Sequence, residues 1–184
     1  TVFVLVLKAE FLIFTKKLPG GGGLPVGASG RVMSLLSGGI DSPVATWMMM
    51  KRGCRPEMSH FFPGRSFEEA NPEKILRLAQ GLARWAPRPL VLHMVPAYPY
   101  EVRSIGTVHD SYDMVLFRRF MVKTAARLAR RRDCLALVTG DSVGQVASQT
   151  LHNLNAISPD VQSPILRPLV GLDKIEITDL SKRI

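Results

Sequence analysis

"LLSGGIDSPVA", residues 35–45, is the stretch on which the reading of this chain turns. The apolar run "RVMSLL" at 31–36 stops at Ser37-Gly38-Gly39, and Pro43 stands where a following helix would have its first turn. A glycine-rich turn between strand and helix is a common seat for phosphate. The glycines let the backbone pass close, Ser37 and Ser42 add hydroxyls, and the helix start offers free amides and a positive dipole end. The kinase-type loop G-x-x-x-x-G-K-[ST] is absent: its nearest approach, Gly22 to Ser29, has Ala28 where the lysine belongs. The glycines at 20–23 do not give G-x-G-x-x-G either. Residues 37–42 therefore read as a different phosphate loop. A carboxylate beside a phosphate is repelled unless a divalent cation lies between them or it orients a donor, so Asp41 points to magnesium, held indirectly. The plainer alternative is an ordinary strand-to-helix turn with Ser42 as its cap.

Outward from the loop, strands and helices alternate. Residues 42–53 read as a helix that Gly53 ends, followed by a strand over 55–61, a helix over 71–85, a strand over 89–95, a long helix within 110–132 and a strand over 134–139. That succession predicts an α/β fold, a parallel sheet wrapped by helices on both faces, with ligands outside the carboxyl ends of the strands. Upstream, Val2 to Leu7 and Phe11 to Phe14 read as a β-hairpin, the last strands of a domain that begins earlier, and "KKLPGGGGLPVGASG" at 16–30 as a linker.

The chain has 184 residues, 46% of them hydrophobic, enough for a buried core. A net charge of +9 favours an anionic partner, nucleic acid first; a basic protein without such a role is the alternative. Between Arg118 and Arg132 the long helix has seven basic residues and no acidic one, which reads either as a solvated face or as a track for an RNA backbone. Cys54 and Cys134 show neither metal-site nor disulfide spacing and read as reduced core thiols. "TVFVLVLKAEFLIF" lacks a basic start and is interrupted by Lys8 and Glu10, so it is not read as a signal peptide; no membrane association and a cytoplasmic setting are the expectation.

The S-G-G-x-D-S string resembles the loop of the PP-loop ATP pyrophosphatases, which cleave ATP between the α- and β-phosphates. With "HFF" at 60–62, "YDMVLFRRFMVKTAARLA" at 112–129, "LVTGDSVGQVASQTLHNLNAI" at 137–157 and "ILRPLVGLDKIEI" at 165–177, the chain is similar to the tRNA 4-thiouridine synthetase (tRNA sulfurtransferase) family. The resemblance implies a doubly wound sheet of the adenine nucleotide α-hydrolase type over 31–184, a linker over 17–30, and in 1–16 the end of a THUMP RNA-binding domain. It departs from the family pattern at Asp141, where glutamate is common, at Gly22 and Lys123, and over 63–70.

For the site, the resemblance implies ATP contacts at Leu35, Leu36, His60, Phe61, Arg118, Gly140 and Gln149, with Ser37, Gly38, Gly39 and Ser42 around the phosphates. It links Asp41 and Lys174 to adenylation. Leu35 and Leu36 can equally be plain core, His60 a satisfied strand-end histidine, and Gln149 a residue capping the next helix. The implied partners are ATP, magnesium, tRNA and a cysteine desulfurase, with a link to thiamine thiazole synthesis; a homodimer is compatible. The family's sulfur-handling cysteine is expected beyond residue 184. The alternatives are a PP-loop ATP pyrophosphatase with another acceptor and a non-catalytic nucleotide- or RNA-binding module.

Overall fold

The structure, a computed structural model, describes residues 1–18, 20–70, 72–146, 149–158 and 161–184. Strands β1 (Phe3–Val6) and β2 (Phe11–Phe14) form an antiparallel hairpin, with Phe3 stacked on Phe14. The rest is built on five parallel strands: β3 (Arg31–Leu35), β4 (Arg55–Phe62), β5 (Val91–Pro96), β6 (Ala136–Val138) and β7 (Ile165–Leu166). Their order, β5-β4-β3-β6-β7, reverses direction between β3 and β6. A crevice opens at such a reversal because the connections leave the two neighbouring strands toward opposite faces.

The helices are α1 (Asp41–Lys51), α2 (Glu73–Ala83), α3 (Tyr98–Ser104), α4 (Asp110–Arg131), α5 (Leu151–Ile157) and α6 (Lys174–Ser181). The period of two in β3 sends alternate residues to opposite faces. Val32 packs with Val44, Ala45 and Ile177 on the face covered by α1 and α6, and Met33 with Val122, Ala125 and Ile157 on the face covered by α4 and α5. Ser34 shares Val32's face and meets Thr46 of α1 at 2.6 Å, a buried hydroxyl pair between the central strand and its helix. Beyond it, Met58, Trp47, Ile75 and Leu82 join α2 to the sheet.

The expected strands and helices are present with shifted ends. Helix α1 begins at Asp41 with Ile40 in the capping position, so Ser42 is not its cap; the Ser42 hydroxyl turns back and accepts the Ser37 N–H at 2.7 Å. Strand β6 is shorter than 134–139 because Cys134 N–H is taken by the Ala129 carbonyl at the end of α4. Helix α2 starts after Pro72, and Asn71 lies outside the described residues. Gln149 precedes α5 rather than sitting on it, and Thr150 caps that helix. Helix α3 and the two-residue β7 carry too little periodicity to be predicted from sequence. Among the described residues no helix is long and apolar enough to cross a membrane.

One carboxylate sits inside the α4 face of the sheet. Glu57, 5% exposed in β4, accepts from Arg132 Nε at 2.8 Å and Nη2 at 3.2 Å, and pairs with His93 Nε2 of β5 at 2.8 Å. Burial pushes this carboxyl up, but the hydrogen bonds and charges of Arg132 and His93 outweigh it and hold it below the ordinary carboxylate range. A depressed folded value gives stability that is present above the unfolded pKa and lost as pH falls through the folded one. Glu57→Gln is therefore expected to lower the Tm at pH 7 and to flatten its decline between about pH 5 and pH 3. Thermal melts across that range, variant against parent, measure it; parallel curves would remove Glu57 from the acid limb.

Candidate functional site

The loop after β3 lies at the reversal of strand order. Ser37 N–H bonds the Ser42 hydroxyl, and the two hydroxyls lie 2.9 Å apart, so the serines close the loop on itself. No side chain caps α1, which leaves its first amides for an anion. From across the crevice comes Gly140, two residues past the end of β6. A Cβ there would lie 2.8 Å from Ser42 N and 2.9 Å from Asp41 C, so the glycine is required by the approach of two backbones. The resemblance implies an ATP contact at Gly140; the contact the glycine permits within the protein is with the start of α1.

These elements enclose a cavity of about 430 Å³. Leu35, Leu36, Ser37, Gly38, Asp41, Ser42, His60, Phe61, Arg118, Gly140 and Gln149 all line it. Gly39 does not; its N–H is turned to the Ser37 hydroxyl at 3.4 Å. Leu36 is also core, packed with Met50, Met58 and Trp47. His60 Nδ1 is 2.9 Å from the Leu36 carbonyl; that oxygen can only accept, so Nδ1 carries the proton and the ring ties β4 to the loop. Phe61 stands edge-on to Phe120 of α4.

Lys174, the first residue of α6, is outside the cavity lining but brings its Nζ to 2.9 Å from Asp41 Oδ1. The two residues are 133 positions apart in sequence. A capping box at Asp173 and Glu176 fixes the start of α6 and so the root of that lysine. The ion pair is partly exposed, with side chains 55% and 25% accessible, so water and salt weaken it and its use is positional.

The cavity wall contains a cluster that sequence reasoning missed. Asp141, 4% exposed, pairs with Arg118 of α4 through one oxygen; its other oxygen accepts from Thr139 Oγ1 at 2.8 Å and Arg167 Nε at 3.2 Å. Two guanidinium groups share this one carboxylate. Arg167 follows β7 and also reaches the Ser158 hydroxyl at 2.9 Å. Its only signal in the sequence was its place in "ILRPL", which does not distinguish it from any surface arginine. Phe117 and Met121 of α4 line the same wall. Gln149 lines the cavity, and its Oε1 is buried without a hydrogen-bond partner, as are Gln145 Oε1 and Trp47 Nε1. Buried acceptors are nearly always satisfied, so Gln149 keeps an unused acceptor beside the cavity. Ala147 and Ser148 of the same block lie outside the described residues.

A second, smaller groove of about 290 Å³ runs beside α4 between Lys123, Arg127 and Arg130 and residues 161–163. Arg132 is not part of it, being held by Glu57. Among the described residues no three His, Cys, Asp or Glu side chains converge as a metal cage. The arrangement fits a magnesium ion only in the manner of nucleotide sites, with one carboxylate, Asp41, and the remaining ligands from phosphates and water.

The sheet order, the loop at its reversal and the cavity define a nucleotide-binding domain of the PP-loop ATP-pyrophosphatase type. The NH3-dependent NAD synthetase of Campylobacter jejuni has this fold, with a TM-score of 0.60 at 19% identity over 84% of this chain and 63% of that one. Within that class, the chain belongs to the family described as thiamine biosynthesis protein (ThiI), which it matches over residues 27–184. It is 47% identical over 181 residues to a probable tRNA sulfurtransferase of Thermus thermophilus, covering 98% of this chain and 44% of that protein. It is also similar to a 4-thiouridine synthetase crystallised in complex with RNA and with bound ATP: TM-score 0.89, 38% identity, 99% of this chain and 47% of that one. The chain thus spans less than half the length of these relatives.

The two glycines of the site are expected to respond differently to a methyl group. Gly140→Ala drives a Cβ into backbone and should cost about 2 kcal/mol in urea unfolding. Gly38→Ala meets only the flexible end of Lys74, at 3.7 Å, and should stay within about 0.5 kcal/mol of the parent. Equal costs would show that the crevice is looser than the structure has it.

Proposed function

We propose that this chain adenylates a tRNA uridine, at position eight, on its O4 oxygen, using ATP, as the activating step of the sulfur transfer that yields 4-thiouridine. The observation that carries the reading is the convergence on one cavity of an uncapped helix start, Asp41 and Gln149, with Lys174 held at its margin by Asp41. Family membership and the likeness to an ATP-bound 4-thiouridine synthetase–RNA complex support it.

In this reading the ATP phosphates rest on residues 37–42, and the adenosine lies against Leu35, His60, Phe61 and Gln149. Magnesium, held by Asp41 and the phosphates, supplies charge neutralisation when bound. A lone pair of the uridine O4 attacks the α-phosphorus in line. The bond from that phosphorus to the bridging oxygen breaks, and pyrophosphate leaves with the electron pair. Lys174 and Arg118 are placed for the negative charge that builds on the α-phosphate and the leaving group; fixed cations in a partly enclosed site need no reorganisation as that charge develops. Asp141 acts through Arg118, holding it at the wall. The adenylate turns the uridine C4–O4 bond into one that a persulfide sulfur can displace with loss of AMP.

The sulfur in this reading comes from a cysteine desulfurase, and the same relay can serve thiazole synthesis. The tRNA meets the basic groove of α4, and residues 1–16 belong to a THUMP-like RNA-binding unit joined by 17–30. Neither cysteine of the chain suits the persulfide role. Burial pushes the Cys134 thiol up to about 11 and raises that of Cys54, so both are protonated near neutral pH and poorly nucleophilic.

Pyrophosphate release from ATP, with and without unmodified tRNA, is the deciding assay. Release is expected with tRNA and not with small carboxylic acids; the reverse result selects another PP-loop acceptor chemistry, and no release with intact ATP binding selects a non-catalytic module. In a relative that carries the whole activity, the change equivalent to Asp41→Asn should abolish release by at least about 100-fold with the Tm nearly unchanged. Full release in that variant would remove Asp41 from the mechanism. Cys54→Ser and Cys134→Ser should leave pyrophosphate release unaltered, and native-state alkylation of both thiols at pH 7 should be slow; fast labelling of either would show an accessible thiolate.

A further inference from the structure

The charge of this chain is not gathered around the nucleotide cavity. Strands β3 and β4 each begin with an arginine, Arg31 and Arg55, and the two are register partners on adjacent parallel strands, so like charges stand side by side. Arg88, in the connection to β5, joins them. Together these three guanidinium groups line a cavity of about 600 Å³ at the amino ends of the strands, the sheet edge opposite the nucleotide site. Its remaining lining, Val26, Gly27, Gly30, Ala86 and Pro87, contains no acidic residue. Glu57 lies 3.9 Å from Arg31 and is already committed to Arg132 and His93. Arg31 and Arg55 each make one further bond, to the backbone carbonyls of Arg132 and Pro89, which orients them and cancels no charge.

Helix dipoles explain cations at the ends of α1 and α4, which reach this same edge. They do not explain arginines at strand starts or on the 86–88 loop. Three planar donors around one cavity match the oxygens of a phosphate, which guanidinium groups bind as forks. Helix α4 extends roughly 20 Å from Arg118 at the nucleotide cavity to the arginines of its last turn at this edge. The basic groove of Lys123, Arg127 and Arg130 lies between the two. A single polyanion can therefore touch both ends of the domain if it is a nucleic-acid strand or helical arm and not a lone nucleotide.

We propose that the Arg31–Arg55–Arg88 cavity is a phosphodiester-binding seat for RNA, a second anchor remote from the adenylating site. It rests on the tRNA reading above and adds where the RNA backbone is held. The experiment is a titration of fluorescently labelled unmodified tRNA against the parent chain, Arg55→Gln/Arg88→Gln, and Arg88→Gln alone, at several salt concentrations, with inorganic pyrophosphate as a competing small anion and ATP binding measured in parallel.

The double variant is expected to bind tRNA more weakly, its log-affinity against log-salt slope shallower by roughly 1.4 to 1.8 for two lost phosphate contacts, with ATP affinity unchanged. Arg88→Gln, on the exposed loop, should show about half that change and keeps the test intact if the strand-start substitution disturbs folding. If the parent binds tRNA and both variants match it in affinity and slope, the seat is overturned while the function reading stands. Loss of pyrophosphate binding with tRNA binding untouched would overturn it equally, marking a small-anion site. A parent that binds no tRNA at all would bring down the function reading and this inference together.

Discussion

The close passage of Gly140 past the start of α1 is the contact on which the rest of the site depends. A side chain at 140 would meet Ser42 N and Asp41 C at under 3 Å, so the backbone after β6 and the loop after β3 can lie together only without one. That approach sets the width of the crevice where the strand order reverses. It fixes the carboxylate of Asp41 where α6, arriving from the far end of the chain, can present Lys174. The serines of the loop are consumed in holding this shape, which leaves the amides of α1 as the unclaimed donors.

Helix α4 is the second organising element, because buried carboxylates of the sheet side hold it near its middle and at its C-terminal end. Asp141 takes Arg118 at the cavity wall, and Glu57 takes Arg132 at the opposite edge. Each carboxylate also has a second basic partner, Arg167 and His93, as a buried charge requires if its desolvation is to be offset. The consequence for function is a division of the helix's basic residues. Arg118 belongs to the cavity wall and Arg132 to the fold, while Lys123, Arg127 and Arg130 line an open groove. A reading that treats all seven basic residues as one RNA track blurs that difference.

Much of the architecture was legible because its signals are local. The break from apolar run to Ser-Gly-Gly, the helix stop at Gly53 and the length of α4 placed strands and helices in their order, and the ends moved by only a few residues. Ser42 misled because a serine beside a helix start is an ordinary cap, and nothing local shows that its hydroxyl faces back to Ser37. For Gln149 it is the capping alternative that fails, because Thr150, one residue on, does the capping. Asp141 was visible only as a departure from a family pattern. A buried aspartate with two arginine partners leaves no periodicity, since those partners sit on α4 and after β7.

The sequence by itself determined the class of fold, the place of the glycine-rich loop and the family, since each rests on residues adjacent in the chain or on blocks in fixed order. Only the tertiary structure decided which charges meet. The pairing of Asp41 with Lys174, the sharing of Asp141, the neutralisation of Arg132 by Glu57 and the gathering of Arg31, Arg55 and Arg88 all join residues from separate elements. A net charge of +9 fixes how strongly the chain attracts a polyanion, but where that attraction acts depends on which cations retain a field after burial and pairing, and that is a property of the packed sheet.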